Sequence, residues 1–230
     1  VLTGAGISAE SGIRTFRDSN GLWEEHHVED VASPEGWQRD RELVWRFYSE
    51  RRKQVLQCQP NPAHTALAVL EEALGDKLFL CTQNIDPMHE SAGSKRVVHM
   101  HGELLKSRCE GCDRPPFYDE ALYYSEKEIP QCECGNLIRP HIVWFGEMPF
   151  AMRAIKEAVR SCHLFITVGS SGAVYPAAGL VREISYRKDM GEDTRSIYVG
   201  LERPDNADLF DEVVLGKAGE VLPELLAKIP

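Results

Sequence analysis

The stretch Val1-Leu2-Thr3-Gly4-Ala5-Gly6-Ile7-Ser8 decides the fold class, because an apolar start runs directly into a turn of small residues. Glycines at such a turn let backbone N–H groups approach a phosphate group. The turn comes only three residues into the chain, so we expect most of a first strand to lie outside this sequence. The stretch indicates a strand followed by a phosphate-binding turn.

The residues after this turn depart from an ordinary dinucleotide fingerprint, which continues into an apolar helix and a second strand ending in an acid about 20 residues on. Residues 13–23 are instead polar, aromatic and loop-like. This favours a flap that folds over a nucleotide, with Phe16 and Arg17 as its working side chains, over a plain hydride-transfer dehydrogenase. A surface loop with Phe16 tucked into the core fits the same residues.

Helical and strand patterns alternate along the rest of the chain, which is typical of an α/β protein with a doubly wound parallel sheet. Apolar periodicity and breaker residues predict the boundaries. The predicted helices are 40–56, 63–74, 151–161, 176–188 and 220–228, and the predicted strands are 78–81, 96–100, 163–168 and 196–199.

Polar side chains follow two of these strands. Gln83, Asn84 and Asp86 come after one strand, and His101 comes after the next. The ends of these parallel strands lie at one edge of the sheet, where α/β proteins bind ligands. Histidine is well suited to accept a proton near neutral pH. His99 and His101 alternate along a strand, however, so a metal pair or two ordinary edge residues remain alternatives.

The helix at 40–56 carries an arginine on its apolar stripe. Arg51 shares that stripe with Val55 and follows Tyr48 by nearly one turn. A guanidinium and a phenol aimed into a pocket suit a ligand carboxylate. The alternative is an arginine that snorkels or finds a distant acid. We expect Arg52 and Lys53 to be solvated.

Two close cysteine pairs bracket an insert with little periodicity: Cys109, Cys112, Cys132 and Cys134. Four thiolates in this arrangement suit tetrahedral zinc, and nothing in the insert is placed as a catalytic acid or base, so we predict a structural ion. Disulfides and a nucleic-acid-reading zinc ribbon are the alternatives, although the insert is not basic. The apolar stretch at 139–147 then leaves an edge to which an extended peptide can pair.

Composition indicates a globular protein of one large domain. The chain has 230 residues, 43% hydrophobic residues and a net charge of −10. The negative charge argues against nucleic-acid and membrane partners. Seven cysteines without a signal peptide or an apolar run of about 20 residues favour a cytoplasmic protein. We expect a monomer.

Taken together, these residues resemble the sirtuins, NAD-dependent protein lysine deacylases. The resemblance covers essentially the whole chain. The matching motifs, in order, are Gly4-Ala5-Gly6-Ile7-Ser8, Thr15-Phe16-Arg17, Gln83-Asn84-Ile85-Asp86, His101-Gly102, the four cysteines and Gly169-Ser170-Ser171. Tyr48 and Arg51 match the acid-recognising Y-x-x-R of a bacterial branch that removes succinyl and malonyl groups as well as acetyl.

The resemblance implies a single catalytic domain with a Rossmann-like large part and a small zinc-binding module. NAD and acyl-lysine would meet in the cleft between them. We expect the large part to comprise residues 1–35, 76–103 and 140–230. The small module would combine a helical segment at 36–75 with a zinc ribbon at 104–139.

The resemblance also implies roles for individual residues. His101 would be the catalytic base. Substrate would contact Tyr48, Arg51, Val143, Phe145, Gly146 and Val174. NAD would contact Gly4, Ala5, Gly6, Glu10, Thr15, Phe16, Arg17, Trp23, Gln83, Asn84, Ile85, Asp86, Gly169, Ser170, Ser171, Gly200, Leu201, Glu202 and Ala218.

The implied reaction starts with attack of the acyl oxygen on C1′ of the nicotinamide ribose as nicotinamide leaves. His101 then draws a proton through the ribose hydroxyls so that the 2′-oxygen attacks the imidate carbon, and water completes the release of free lysine and 2′-O-acyl-ADP-ribose. Mono-ADP-ribosyl transfer on the same scaffold and a non-catalytic sensor of NAD or acyl-lysine are the alternatives.

Two positions depart from the family pattern. Gly200 replaces an asparagine whose side chain would contact the adenine ribose, so we expect weaker NAD binding. The resemblance implies that Ile85 and Asp86 contact the carboxamide of nicotinamide. Pro87-Met88 follows Asp86 and is compatible with a helix start, but it changes the surroundings of this carboxamide pocket.

Overall fold

The computed structural model describes residues 1–14, the backbone of residues 22 and 23, and residues 26–228. The strands, in chain order, are β1 (Leu2–Thr3), β2 (Leu22–Trp23), β3 (His26–His27), β4 (Leu80–Thr82), β5 (Val97–His99), β6 (Gly102–Cys109), β7 (Phe117–Tyr118), β8 (Ile138–Ile142), β9 (Leu164–Val168), β10 (Arg195–Gly200) and β11 (Glu212–Leu215). The α-helices are α1 (Val28–Val31), α2 (Pro34–Arg39), α3 (Arg41–Val55), α4 (Pro62–Leu74), α5 (Met88–Ser91), α6 (Met152–Ser161), α7 (Leu180–Asp189) and α8 (Ala218–Leu226).

Six parallel strands form the main sheet, in the order β11-β10-β9-β1-β4-β5. The chain starts in the middle at β1, builds outward to β5, and then returns beside β1 to build the other half. The strand order therefore reverses between β1 and β9, where Leu2 pairs with both Cys81 and Thr167. This topology confirms the predicted doubly wound sheet, and it places a ligand crevice at the reversal point.

Helices cover both faces of this sheet. One face packs Leu67 of α4 and Leu222 of α8 against Val168 and Val199. The other face buries Val159, Val181 and Ile184 of α6 and α7 together with Leu2 and Phe165. A parallel sheet buried on both faces explains why its strands are continuous apolar runs rather than alternating ones.

A smaller part combines the antiparallel sheet β7-β6-β8 with helices α1, α2 and α3 around a separate core. Trp37 and Trp45 of the helices pack in this core with Leu104 and Ile138 of the strands. Helix α4 behaves differently, because it contacts α8 and the parallel sheet. The predicted grouping of 36–75 with the small module is therefore corrected: α4 packs with the large part, and α1, which was expected in the large part, packs with the small one.

The ends of the long helices follow from capping. The Asp40 carboxylate accepts a hydrogen bond from the Leu43 N–H at the start of α3. Asn61 caps α4, and Pro62 occupies its first turn. The predicted boundaries of the helices and the parallel strands agree with the structure to within four residues.

Arg52 is fully buried, contrary to the prediction that it is solvated. Its guanidinium group donates hydrogen bonds to the carbonyls of Leu104 and Ala121 and to the Ser107 hydroxyl, and it forms a 3.2 Å ion pair with Asp119. Helix α3 is therefore buried on two sides: on its apolar stripe and on the side of Arg52, which the small sheet covers. Helical periodicity alone does not reveal the second buried side. Arg52 thus joins α3 to β6.

No helix among the described residues is long and apolar enough to cross a membrane.

Candidate active site

Two loops at the carboxyl edge of the parallel sheet lie back to back at the reversal point. The Gly6 N–H donates to the Gly169 carbonyl at 2.8 Å. A Cβ atom at Gly4 would lie 2.9 Å from the same carbonyl oxygen, and one at Gly6 would lie 2.7 Å from the Gly169 Cα. Both positions therefore require glycine, because the two backbones touch directly.

His101 lies at the next strand end and has a defined tautomer. Its Nδ1 is 3.0 Å from the Gln83 carbonyl oxygen. A carbonyl oxygen only accepts, so Nδ1 carries the proton and neutral His101 keeps its lone pair on Nε2. Burial lowers the pKa of His101, while the Gln83 carbonyl opposes this shift. The imidazole is therefore a neutral base at pH 7.

The backbone turns sharply directly after this histidine. Gly102 has φ of +90°, and a Cβ there would lie 2.0 Å from the His141 carbonyl oxygen. Strand β6 therefore approaches β8 too closely for any side chain at position 102. This close pairing of β6 with β8 fixes the backbone next to His101.

Two side-chain amides connect the loops. Gln83 Nε2 donates to the Ser170 hydroxyl at 3.0 Å. Asn84 Nδ2 lies 3.2 Å from the Gly4 carbonyl and 3.1 Å from the Ser8 hydroxyl, and donates to both. The residues after β4 thus hold both the glycine turn and the loop after β9.

Asp86 is buried, and its carboxylate accepts hydrogen bonds from the Met88 N–H, at 3.1 Å, and from Ser8. Burial raises the pKa of Asp86, and these hydrogen bonds oppose the shift. Pro87 is the N-cap of α5, as expected of a residue that starts a helix. Ile85 is half-buried and packs against the core of the small part.

A buried histidine that was not predicted from the sequence orients Ser8. His64 Nδ1 accepts from the Asn61 N–H, so its Nε2 carries the proton toward the Ser8 hydroxyl, 3.3 Å away. Burial lowers the pKa of His64 to about 4. The Ser8 hydroxyl thus accepts from His64 and Asn84 and donates its own proton to Asp86. The position of His64 at the third residue of a capped helix was a sequence signal for this role.

His99 is paired with a carboxylate rather than with His101. Its Nδ1 lies 3.1 Å from the Asn84 carbonyl, and its Nε2 lies 2.8 Å from Glu90. Burial lowers the pKa of His99, but the hydrogen bond and charge of Glu90 outweigh this and raise it overall. The two acceptors favour the protonated form of His99, which braces the end of β5, and they occupy both ring nitrogens, so the metal-pair alternative is not supported.

Tyr48 and Arg51 lie together in the core of the small part. Tyr48 is fully buried and accepts a 3.0 Å hydrogen bond from Trp144 Nε1. Burial raises its pKa, while the Trp144 hydrogen bond and the Arg51 charge oppose the shift. The Arg51 charge also opposes the rise in the pKa of Asp86. The charge of Arg51 therefore acts on both the phenol and the strand-end acid, so the distant-acid alternative would name Asp86.

Two backbone N–H groups in the segment after β8 are hydrogen-bonded within the protein. The Val143 N–H donates to the His101 carbonyl and the Phe145 N–H donates to the Ala32 carbonyl, both at 2.9 Å. These two amides donate within the protein, and the pairing of an extended peptide with this segment stays a prediction. Phe145 and Gly146 are exposed, whereas Val174 is half-buried in the loop before α7.

Several predicted cofactor residues lie around the other half of the crevice. Leu201 and Glu202 are exposed just after β10, and Ala5 and Ser171 are half-buried in their loops. The Glu10 carboxylate accepts a 2.8 Å hydrogen bond from Gly219 N–H at the start of α8, next to buried Ala218. Thr15, Phe16, Arg17 and the Trp23 side chain lie outside the described residues.

The four predicted metal ligands form a cluster in the small part. The Sγ atoms of Cys109, Cys112, Cys132 and Cys134 all lie within 4.8 Å of one another. Cys109 and Cys134 are 3.5 Å apart, and Cys112 and Cys132 are 3.8 Å apart. Tetrahedral zinc with Zn–S bonds of about 2.3 Å separates its sulfurs by about 3.8 Å. The cluster fits one structural zinc ion, and none of the seven cysteines, all described, forms a disulfide.

We expect Cys132→Ser to lower the zinc content below one ion per chain and to unfold the small part, because three thiolates no longer close the site. Zinc content by mass spectrometry and the melting temperature should fall together, and turnover should fall with the folded fraction. Cys162→Ser, a control outside the cluster, should keep one zinc per chain. A wild-type protein without zinc would contradict the assignment.

Comparisons with known proteins agree with this geometry. The Sir2 family model matches residues 4–176. A protein of Pasteurella multocida (strain Pm70), named NAD-dependent protein deacylase, is 51% identical over 99% of this chain and 96% of its own length. A protein of the same name from Shewanella oneidensis is 49% identical over 100% of this chain and 93% of its own length.

Solved structures show the same fold. A Sir2 homolog in complex with NAD has a TM-score of 0.87 and 39% identity, covering 98% of this chain and 86% of the other. A mutant Sir2 homologue with ADP-ribose has a TM-score of 0.88 at the same identity, covering 98% of this chain and 89% of the other. With a family match that spans residues 4–176 and relatives about half identical along its length, the chain belongs to the Sir2 family.

Proposed function

We propose that this chain removes acyl groups from protein lysines with NAD as co-substrate, and that its substrates include succinyl- and malonyl-lysine as well as acetyl-lysine. The observation that carries the proposal is the tautomer of His101, whose neutral Nε2 is left as a base at the crevice. The crevice lies where the strand order of the sheet reverses, which is where such sheets bind dinucleotides. The related proteins named NAD-dependent protein deacylase support the same reaction.

The residues at the crevice fit NAD. Gly4 and Gly6 let the glycine turn lie directly against the loop after β9, and a glycine turn that follows a strand is the usual place for a bound diphosphate. When bound, NAD supplies the ribose carbon that takes up the acyl oxygen as nicotinamide leaves. His101 Nε2 accepts a proton from a ribose hydroxyl, while the Gln83 carbonyl holds its Nδ1–H. Ser8, which accepts a hydrogen bond from Asn84, donates to Asp86 and so holds its carboxylate for the nicotinamide carboxamide.

The acyl preference rests on Tyr48 and Arg51. A carboxylate at the far end of a succinyl or malonyl group would enter a buried place that already contains a guanidinium and a phenol. An arginine in such surroundings forms strong, directed hydrogen bonds with a carboxylate. The Trp144 hydrogen bond fixes the phenol oxygen, so the phenol keeps its place beside the guanidinium.

We expect Arg51→Met to lower kcat/KM for a succinyl-lysine peptide by about ten- to a hundredfold, because a hydrogen bond to a charged group contributes roughly 1.5–3 kcal/mol. Deacetylation should change far less, since an acetyl group has no carboxylate. Matched succinyl and acetyl peptides assayed with NAD by mass spectrometry give both values. Tyr48→Phe should shift the ratio in the same direction by a smaller factor.

The same assay tests the reaction class and the role of Arg51. Release of nicotinamide with O-acyl-ADP-ribose supports deacylation, whereas ADP-ribose attached to protein would indicate a transferase. If Arg51 serves only to balance Asp86, both peptides should lose activity in parallel with the folded fraction. Parallel losses at constant folded fraction would also refute acid recognition.

We further propose that the zinc ion has a structural role, that the protein is a monomer, and that it works in the cytoplasm. The cysteine cluster packs against the small core, and the seven cysteines are free of disulfides, as in a reducing compartment. Light scattering on the purified protein tests the oligomeric state.

A further inference from the structure

Tyr198 occupies the space beside Gly200 at the end of β10. A Cβ atom at Gly200 would lie 2.4 Å from the Tyr198 hydroxyl oxygen, 2.8 Å from Cζ and 3.0 Å from Cε1. Real Cβ atoms do not approach other atoms this closely. A side chain at position 200 would therefore have to displace the phenol of Tyr198 from this place.

The Tyr198 hydroxyl makes a directed contact from this position. It donates a 3.1 Å hydrogen bond to the Ser170 carbonyl. Both residues are buried, so that carbonyl depends on a partner within the protein. The Tyr198 ring also meets Phe210 edge to face, at 5.7 Å between centroids, which limits any movement of the phenol.

Ser170 links this contact to the rest of the crevice. Its hydroxyl accepts from Gln83, whose carbonyl accepts from His101. Its Cα lies 2.9 Å from where a Cβ of Gly4 would be, so the loop and the glycine turn touch without side chains between them. A shift of Ser170 is therefore passed directly to the glycine turn.

We propose that Tyr198 is a positioning residue for NAD binding, which sets the loop at 169–171 through the Ser170 carbonyl and acts as a coupled pair with Gly200. This inference rests on the proposed function, because it takes NAD as the ligand of the crevice. The loop follows β9, which lies on the opposite side of β1 from β5, the strand that leads to His101. Tyr198 should therefore affect the adenosine half of NAD and leave the nicotinamide half unchanged.

Tyr198→Phe tests the hydroxyl alone. We expect the dissociation constants of NAD and ADP-ribose, measured by calorimetry on folded protein, to rise by about two- to tenfold, the usual effect of one neutral hydrogen bond. KM for NAD should rise correspondingly, with the loss in affinity rather than in kcat. Inhibition by nicotinamide should be unchanged. Tyr186→Phe, on the exposed face of α7, is the matched control and should bind NAD as the wild type does.

Gly200→Ala tests the coupling. Its Cβ should displace the Tyr198 hydroxyl and weaken NAD binding by at least as much as Tyr198→Phe. In the Gly200→Ala background, Tyr198→Phe should then add less than about a twofold loss, because the hydrogen bond to Ser170 is already broken. This non-additivity separates a shared contact from two independent structural effects.

Three outcomes would overturn the inference. NAD binding by Tyr198→Phe equal to that of the wild type would remove the role of the hydroxyl, even if the melting temperature falls. Losses that multiply in the double variant would remove the coupling. A wild-type protein that does not bind NAD would overturn the proposed function and this inference with it. If the wild type binds NAD, either of the first two outcomes overturns only the role of Tyr198.

Discussion

Replacement of His101 by alanine should lower kcat by about 10²–10⁴-fold, the contribution expected of a positioned general base. The variant loses the Nε2 lone pair that the Gln83 hydrogen bond directs into the crevice. His101 is only half-buried and lies outside the three hydrophobic cores, so its loss should leave the fold intact. Turnover of a succinyl or acetyl peptide, measured beside NAD binding and the melting temperature, checks the result.

The pH profile provides an independent check on the same residue. Burial lowers the pKa of His101 below its usual 6.5, so the basic form is the populated one at neutral pH. As the pH falls, kcat/KM should begin to decrease only below about pH 6.5, and this acidic limb should be absent from the residual activity of His101→Ala. Near-normal turnover by a folded His101→Ala protein would contradict the assignment.

The rim of the parallel sheet could be predicted because its evidence is local. A run of apolar residues followed by Gln83, Asn84 and Asp86 predicts a strand and its polar end, and His101 follows in the same way. Since parallel strands end at one edge, adjacency in space follows from the pattern alone. The structure adds what a pattern does not contain: the proton on Nδ1 of His101 and the direction of each hydrogen bond.

The small part was harder to predict because its contacts are not local. Strand β6 is an eight-residue strand whose partners lie in β7 and β8, and the sequence pattern predicted no strand over Gly102–Cys109. The grouping of α4 was wrong for a related reason. Its apolar face matches either core, and only the contact with α8 shows which one it covers.

The departure at position 200 also changes meaning once the structure is considered. By the resemblance to the family, Gly200 implies the loss of a side-chain contact and weaker NAD binding. In the structure, the neighbouring Tyr198 fills that volume and donates to Ser170. The pair lies two positions apart on one strand, on the same face, so the relation was within reach of a strand pattern. What the pattern could not give is the 2.4 Å distance that makes the two residues interdependent.

Replacement of Arg52 by methionine should lower the free energy of unfolding by about 3–5 kcal/mol, the usual cost of removing one partner of a buried ion pair. The variant leaves the buried Asp119 carboxylate without its 3.2 Å partner. It also removes the donors to the Leu104 and Ala121 carbonyls, which hold the small sheet to α3. Chemical denaturation at a fixed zinc concentration measures the change, since metal binding otherwise shifts the apparent stability.

Two further variants separate the buried pair from a general effect of changing α3. Lys53→Met alters the next residue of the same helix, which is exposed, and should change the stability by less than about 0.5 kcal/mol. Asp119→Asn in the Arg52→Met background removes the uncompensated charge, while its amide can still meet Ser107 and Tyr123. Part of the lost stability should therefore return. A loss of less than about 1 kcal/mol in Arg52→Met, or no recovery in the double variant, would mean that Arg52 does not hold the small part together through its charge.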